Sequence, residues 1–260
     1  MAGERVFITG ASSGIGAALA ARYAARGAQL ALVGRRLPAL QQLAASLPGD
    51  HAVFSLDVRD RDALHAAARA FLAEGPVDAV IASAGISAGT LTEERDDFQV
   101  FQSIIDTNVM ATVATFEPFV GAMKARGSGR LVGVASVAAV RGLPGAGAYS
   151  ASKAAVRSYC ESLRVELRGS GVKVVTIAPG FIRTPMTAAN PYRMPFLMPV
   201  DAFAEKAQHA IDAGASYTVI PWQMGWVARL LRLVPNALYD RVASTRKRKP
   251  RIAGRNDTQA

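Results

Sequence analysis

The sequence predicts a single α/β domain of the doubly wound type, with about seven parallel strands and helices on both faces of the sheet. Short apolar runs rich in β-branched residues alternate along the chain with longer segments of helical periodicity. The strand runs lack a regular alternation of apolar and polar residues, which indicates that both faces of the sheet are covered. Half of the 260 residues are apolar, enough for a substantial core.

The predicted elements follow one another in a regular order. The strand runs are 5–9, 29–33, 52–56, 77–83, 130–135, 173–178 and 217–220. The clearest helical patterns cover 14–26, 60–74, 98–126 and 149–169. No linker rich in Pro, Gly or Ser divides the first 220 residues, so residues 1–220 are expected to form one domain.

Two segments depart from this alternation. Residues 184–200 contain four prolines and three methionines and are too long and irregular for an ordinary connection. The second segment is 221–260, which is predicted to be helical and basic. The formal net charge of the chain is +10, and residues 226–260 supply +7 of it. The basicity therefore describes the partners of this tail and not the main site, and nucleic acid is not expected as a partner.

A glycine-rich turn joins the first strand to the first helix in the sequence "TGASSGIG". Free N–H groups at a helix start favour an anion, and glycines allow the backbone to approach a phosphate. The context after a strand and before a helix is the one that a dinucleotide-binding turn requires, although such glycines also permit close helix–strand packing. The predicted cofactor contacts here are Gly10, Ser12, Ser13, Gly14, Ile15 and Gly16.

The ends of the second and third strands bear on the choice of cofactor. Gly34 stands where an NAD-preferring fold offers a carboxylate to the ribose, and Arg35 or Arg36 is suited to pairing with a 2′-phosphate. This pattern favours NADP(H) over NAD(H), with two solvated arginines as the alternative. Asp57, beside Val58, is expected either to accept a hydrogen bond from the adenine amine or to cap the next helix.

Five motifs, in this order and spacing, resemble those of the short-chain dehydrogenase/reductase family over roughly residues 4–220. They are "TGASSGIG" at 9–16, Asn108 in "DTNV", Ser136 in "GVASVAA", "YSASK" at 149–153 and "PGFIRT" at 179–184. The resemblance implies a Rossmann-type catalytic domain over 1–220 with a substrate loop at 184–200, and an oxidoreductase that interconverts a carbonyl and an alcohol.

The resemblance also implies a catalytic tetrad of Asn108, Ser136, Tyr149 and Lys153. Tyr149 and Lys153 are i and i+4 on a helix, so their side chains share a face. Tyr149 is expected to act as general acid/base, its pKa lowered by the Lys153 ammonium, which also holds the nicotinamide ribose. Ser136 would stabilise the developing alkoxide, and Asn108 would hold a water that relays protons.

Further cofactor contacts are implied at Ala84, Gly85, Pro179, Gly180, Ile182 and Thr184. One departure from the family pattern is visible, because "ASAG" at 82–85 stands where members commonly have "NNAG". The missing asparagines predict weaker or rearranged hydrogen bonds in the central sheet.

The substrate is expected to be an apolar small molecule. The implied substrate contacts are Ser136, Val137, Leu143, Tyr149, Phe181 and Met186. The loop at 184–200 carries flexible apolar side chains suited to an irregular ligand, unless they pack on the domain or on another subunit. A homodimer or homotetramer joined through helices 98–126 and 149–169 is the expected assembly.

The sequence of the tail, residues 221–260, is compatible with two interpretations. Trp222 and Trp226 open an apolar, arginine-interrupted stretch that is either an amphipathic helix on an anionic membrane surface or a segment packed on protein. The N-terminus shows no signal peptide, so a cytoplasmic protein, with a possible peripheral membrane contact, is expected. With a single cysteine and three scattered histidines, no metal site is expected. A cofactor-binding sensor without significant turnover is the alternative to an enzyme.

Overall fold

A computed structural model describes residues 3–188, 190–245 and 247–251. Within these ranges the chain forms nine strands, seven of which make up one sheet. The strands are β1 (Arg5–Thr9), β2 (Gln29–Gly34), β3 (Ala52–Ser55), β4 (Ala79–Ala82), β5 (Gly129–Val134), β6 (Val172–Pro179), β7 (Ile182–Arg183), β8 (Met198–Pro199) and β9 (Tyr217–Ile220). The seven predicted strand runs correspond to β1–β6 and β9, which confirms the predicted fold class.

The seven strands of the sheet are all parallel, in the order β3-β2-β1-β4-β5-β6-β9. The chain moves outward from β1 through β2 to β3, and then crosses back to place β4 on the other side of β1. At such a switch point the connections leave in opposite directions and open a crevice at the carboxyl ends of the strands. The crevice therefore lies above β1 and β4.

Helices cover both faces of the sheet. They are α1 (Gly14–Ala24), α2 (Leu37–Ser46), α3 (Arg61–Ala73), α4 (Asp97–Ile105), α5 (Ala111–Arg126), α6 (Gly147–Glu166), α7 (Pro185–Ala188), α8 (Val200–Asp212), α9 (Trp222–Leu233) and α10 (Asn236–Ala243). The helix predicted at 98–126 is divided, since α4 and α5 are joined by a π-helical turn at Asp106–Met110. Helix α8 begins inside the loop predicted at 184–200, and β8 precedes it.

Strand β1 shows why the sheet needs two apolar layers. Phe7 faces the layer formed with α3 and α5, and its ring centroid lies 5.0 Å from that of Phe119. Val6 and Ile8 point to the opposite layer, formed with α1 and α8. Because both faces of β1 are buried, alternation of polarity is absent, as the sequence pattern indicated.

The tail packs on the domain through Arg141, which lies in the loop after β5. Its guanidinium donates hydrogen bonds to the carbonyl oxygens of Leu231 (2.8 Å) and Val234 (2.6 Å) and to Asn236 Oδ1 (2.7 Å). These bonds satisfy carbonyl groups at the end of α9 and fasten the α9–α10 junction. Arg246 and residues 252–260 of the predicted extension lie outside the described residues, and none of the described helices is long and apolar enough to cross a membrane.

Phe119→Ala tests the packing of the first layer. Phe119 is fully buried, so its loss leaves a cavity, and the free energy of unfolding is expected to fall by about 3–5 kcal/mol. Phe98→Ala is the matched control, because Phe98 is 71% exposed on α4 and its removal is expected to change stability by less than about 0.5 kcal/mol. Urea denaturation of the three proteins measures both values; equal effects would contradict the described core.

Candidate active site

A cleft opens at the carboxyl ends of the central strands, above the switch point between β1 and β4. All the cofactor contacts expected from the sequence line it: Gly10, Ser12, Ser13, Gly14, Ile15, Gly16, Arg35, Arg36, Asp57, Val58, Ala84, Gly85, Tyr149, Lys153, Pro179, Gly180, Ile182 and Thr184. Gly34, Ser83, Leu56, Ile86 and Thr107 also line the cleft, although no sequence signal singled out the last three.

The glycine-rich turn brings backbone against backbone. Gly10 has φ +69°, and a Cβ there would lie 2.8 Å from the backbone of Ala84. A Cβ on Gly16 would lie 2.3 Å from the carbonyl oxygen of Gly10. Only glycine allows the start of α1 to approach β1 and β4 this closely.

The first turn of α1 is suited to an anion. The N-cap residue Ser13 makes no side-chain capping hydrogen bond, and the turn contains no acidic residue. The N–H groups at the helix start are thus left without a side-chain acceptor, and the helix dipole adds positive potential at the same place. This cradle fits the pyrophosphate of a dinucleotide.

Asn108 lies in the π-helical turn and is fully buried. Its Oδ1 accepts a hydrogen bond from Ile86 N (2.8 Å), while its Nδ2 donates to Ile86 O (3.0 Å) and to Ser152 Oγ (2.9 Å). These bonds join the segment after β4 to α6. Asn108 does not line the cleft itself, but a Cβ on Gly85 would lie 3.2 Å from its Oδ1.

Thr9 connects β1 and β4 where the family's usual asparagines are absent. Its Oγ1 accepts from Ala84 N at 3.4 Å and donates to Ile81 O at 3.5 Å. Both bonds are long, so this connection is weak. In this chain Thr9 and Asn108 hold the segment after β4.

Ser136, Tyr149 and Lys153 meet on one side of the cleft. Ser136 follows β5 and caps the short 3₁₀ turn at Val137–Ala139, its Oγ accepting from Ala138 N at 3.1 Å. Lys153 is buried on α6; its Nζ donates to Val134 O at 2.8 Å and lies 5.9 Å from the Tyr149 ring centroid. Burial lowers the pKa of Lys153 to about 8 because the charged form is poorly solvated.

The pKa of Tyr149 differs from the sequence expectation. Burial raises it above its ordinary value, and the hydrogen bond with Ser136 offsets only part of this effect. The expectation of a pKa lowered by Lys153 was wrong for the chain by itself, because the Lys153 ammonium is directed at the Val134 carbonyl. Tyr149 is consequently a neutral phenol near pH 7, the form that donates a proton.

At the second strand the cleft presents two arginines and no carboxylate. Arg36 Nη2 donates to the carbonyl oxygen and the hydroxyl of Ser12, at 3.2 and 3.3 Å, which places its guanidinium beside the glycine-rich turn. Arg35 is exposed at the same edge.

Asp57 does not cap the third helix. Burial alone would raise the pKa of Asp57, but hydrogen bonds from Arg59, at 2.7 Å from Nη2, hold it below its ordinary value. The cap of α3 is Asp60, whose carboxylate accepts from Ala63 N at 3.0 Å. The capping alternative for Asp57 is therefore wrong.

The expected substrate contacts divide into two groups. Ser136, Tyr149 and Met186 line the cleft, whereas Val137, Leu143 and Phe181 do not. Phe181 instead packs towards Tyr192, with ring centroids 6.3 Å apart.

The loop at 184–200 is more ordered than its composition indicated. Strands β7 and β8 pair in parallel, with Ile182 opposite Met198, and the short helix α7 lies between them. The two ends of the loop are thereby held together beside the cleft.

The basic tail reaches the site, which was not expected. Lys249 Nζ donates to Ser87 Oγ at 2.8 Å and lies 5.9 Å from the Tyr149 ring centroid. Arg251 pairs with the buried Asp97 at 2.7 Å. The interpretation that the tail's charge concerns only its partners was wrong for these two residues, because chain folding returns the tail to the loop after β4. Nothing in the sequence marked them.

Cys160 and the histidines play no part in the cleft. Cys160 is fully buried, and burial raises the pKa of its thiol to about 11, so it is unreactive. Across 3–188, 190–245 and 247–251, no three His, Cys, Asp or Glu side chains are grouped to hold a metal ion.

The fold and this cleft define a dinucleotide-binding α/β protein of the oxidoreductase type. Residues 4–193 match the family model for short chain dehydrogenases. The chain therefore belongs to the short-chain dehydrogenase/reductase family, whose members are enzymes that act on CH–OH and C=O groups with NAD(H) or NADP(H).

Individual proteins agree with this assignment. The chain is 41% identical over 247 residues to an uncharacterized oxidoreductase of Myxococcus xanthus, covering 94% of this chain and 97% of that protein. It is 40% identical to a sulfoacetaldehyde reductase of Chromohalobacter salexigens, over 70% of this chain and 74% of that one. A 3-oxoacyl-[acyl-carrier protein] reductase of Brucella melitensis, solved with bound NAD, is similar with a TM-score of 0.73 and 26% identity, over 84% and 89% of the two chains.

Proposed function

We propose that the protein is an NADP(H)-dependent oxidoreductase that interconverts a carbonyl and an alcohol on a small molecule, with Tyr149 as the general acid/base. The observation that carries this proposal is the meeting of Ser136, Tyr149 and Lys153 in the cleft that the glycine-rich turn opens. When bound there, the nicotinamide supplies or accepts the hydride at carbon.

The proton chemistry belongs to Tyr149. Its raised pKa keeps the phenol protonated, so it donates a proton as negative charge develops on the carbonyl oxygen. Ser136 stabilises the same oxygen with a hydrogen bond. In the reverse direction Tyr149 must first lose its proton before it can act as the base.

Lys153 and Asn108 support this centre. Lys153 holds the nicotinamide ribose hydroxyls, the role that the family implies, and its bond to Val134 O fixes its position. Asn108 holds Ile86 and Ser152 and so positions both the cofactor side and α6; in the proposal it also serves the proton-relaying water.

The preference for NADP(H) rests on charge at the end of β2. Arg35 and Arg36 border the cleft, and the carboxylate that would receive the ribose hydroxyls of NAD(H) is replaced by Gly34. The nearby Asp57 is occupied by Arg59. A 2′-phosphate would find two cations and no competing anion at β2.

The side chains expected to contact the substrate are predominantly apolar. Met186 lines the cleft, while Val137, Leu143 and Phe181 lie in segments that adjoin cleft residues in the sequence. The proposed substrate has an apolar body next to the carbonyl group. The sulfoacetaldehyde reductase relative supports a small carbonyl compound as substrate.

A second proposal concerns the outer face of α9. Trp222, Trp226, Leu230 and Leu233 are 57–79% exposed and follow one another at helical spacing. Arg229 lies over the Trp226 ring at 5.1 Å, so cations flank the apolar side chains. This face, the α9 face, is suited to the surface of an anionic membrane.

We also propose that the protein forms a homo-oligomer. The helices expected to form the subunit contact leave apolar side chains exposed, with Phe98 71%, Met110 57% and Val165 60% accessible. These side chains lie on α4, the π-helical turn and α6, and their exposure supports a contact between copies of the chain.

Tyr149→Phe tests the assigned acid. Removal of the hydroxyl is expected to lower kcat for carbonyl reduction by roughly 10²–10⁴-fold, while NADPH binding, measured by calorimetry, is retained. Tyr159→Phe is the control, because it removes a hydroxyl from the same helix outside the cleft. Turnover by Tyr149→Phe at the wild-type rate would refute the assignment. Absence of turnover by the wild type across a panel of ketones, aldehydes and alcohols would favour the alternative function, a cofactor-binding sensor without significant turnover.

The Arg35→Ala/Arg36→Ala double variant tests the cofactor preference. Loss of charge-assisted hydrogen bonds to a 2′-phosphate is expected to weaken NADPH binding at least about tenfold, with a much smaller effect on NADH. The Arg69→Ala/Arg164→Ala variant loses the same charge away from the cleft and should bind both cofactors as the wild type does. An unchanged NADPH/NADH ratio in the first variant would contradict phosphate pairing.

Vesicle flotation tests the α9 face. The wild type is expected to float with phosphatidylcholine vesicles that contain phosphatidylglycerol, and Trp226→Asp/Leu230→Asp is expected to lose this binding because both side chains are exposed. Leu37→Asp, an exposed position on α2 outside both proposed contact surfaces, is the control. Point variants are used instead of a deletion of residues 222–260, because that deletion would also remove Lys249 from the active site. If the double variant instead changes the oligomeric state in gel filtration, the face is a subunit contact and the membrane proposal is wrong.

A further inference from the structure

The last described residues, 247–251, return to the loop after β4 and bring Lys249 beside Tyr149; we name them the strap. Arg251 anchors its end with two ion pairs, from Nε to Asp97 Oδ2 at 2.7 Å and from Nη2 to Glu94 Oε2 at 2.8 Å. Asp97 is only 2% exposed, so this charge is compensated inside the protein and the pair is costly to break. The strap is therefore fixed at its end.

The backbone of the strap is fixed as well. Gly89 N donates to Pro250 O at 2.9 Å, and a Cβ on Gly89 would lie 2.3 Å from Lys249 O. At Gly145 a Cβ would lie 2.9 Å from Arg248 Cβ. Two glycines on separate loops thus leave just enough room for the strap, which holds Lys249 between anchored neighbours.

The Lys249 ammonium points to the catalytic tyrosine. Its Nζ contacts Ser87 Oγ and lies as far from the Tyr149 ring centroid, 5.9 Å, as Lys153 Nζ does. Neither Lys249 nor Ser87 lines the cofactor cleft. The ammonium therefore lies beside Tyr149 and outside the part of the cleft that the glycine-rich turn lines.

No carboxylate compensates this charge within the described part of the chain, where the ion pairs of the strap all belong to Arg251. Burial lowers the pKa of Lys249 to about 8, so the cation still predominates at neutral pH. A partly buried charge without a counter-ion is unfavourable, and binding of an anion relieves the cost. An anchored strap that holds such a charge beside Tyr149 provides a site for an anion.

We propose that Lys249 binds an anionic oxygen group of the substrate, a carboxylate, sulfonate or phosphate, a few bonds from the carbonyl carbon. This assignment rests on the proposed function and makes the substrate an oxo acid or its sulfonate or phosphate counterpart. The apolar body of the substrate lies among the apolar side chains, and its anionic end pairs with Lys249. The sequence predicted an apolar substrate, and this proposal adds one anionic group to that substrate.

Matched pairs of substrates test the proposal at pH 7. The ratio of kcat/KM for acetoacetate over methyl acetoacetate, and for 4-oxopentanoate over its methyl ester, is measured with NADPH. Lys249→Met is expected to lower this acid/ester ratio at least about tenfold, the equivalent of one lost ion pair in a partly desolvated site. Lys249→Arg keeps the charge and is expected to restore most of the ratio.

Lys247→Met is the matched control. Lys247 is an exposed residue of the same strap, so the variant loses the same charge but should keep the acid/ester ratio of the wild type. Acetate, methanesulfonate and methyl phosphate, used as inhibitors of the wild type, distinguish which of the three anionic groups is preferred.

Three kinetic results would overturn the proposal. A wild type that prefers the esters contradicts an anion site. An equal loss on acids and esters in Lys249→Met shows that Lys249 acts through Tyr149 instead. A higher kcat/KM for both acids and esters in Lys249→Met shows that the strap obstructs the site.

A binding measurement separates this proposal from the proposed function. If the wild type reduces no carbonyl compound, the proposed function fails, and the titration of succinate and dimethyl succinate into the NADPH-loaded protein decides the role of Lys249. Preferential binding of succinate that Lys249→Met loses supports the anion site; its absence in the wild type refutes it.

Discussion

The hydrogen bonds of Asn108 connect the two halves of the structure that carry the chemistry. Through the backbone N–H and carbonyl of Ile86 they hold the segment after β4, and through Ser152 they hold α6. Asn108 lies in the π-helical turn between α4 and α5, where its amide is fully buried. The positions of Tyr149 and Lys153 relative to the glycine-rich turn depend on this connection.

Burial sets the electrostatic character of the site. Lys153 and Lys249 lie at the same distance from the Tyr149 ring, on separate segments of the chain, and burial lowers the pKa of each to about 8. The same burial raises the pKa of Tyr149. In the proposed function, a neutral phenol with two ammonium groups nearby donates its proton, and they stabilise negative charge that develops on a substrate oxygen.

The strap changes the meaning of the basic C-terminal segment. Lys247 and Arg248 of the strap are exposed. Lys249 and Arg251, in contrast, are directed inward by the ion pair with Asp97 and by the close contact at Gly89. Within this short run some charged residues are exposed to solvent and others contact the domain, and composition does not distinguish the two groups.

The sequence by itself determined the fold class, the strand positions and the residues of the cofactor cleft, because each depends on a local pattern: buried strands, a glycine-rich turn and an i, i+4 pair. It missed α2 and α8, the division of the helix at 98–126, the cap by Asp60 and the pairing of β7 with β8. Only the tertiary structure decided the pKa of Tyr149 and the place of Lys249. The first depends on burial, and the second on a contact between residues 100 positions apart along the chain; local spacing encodes neither.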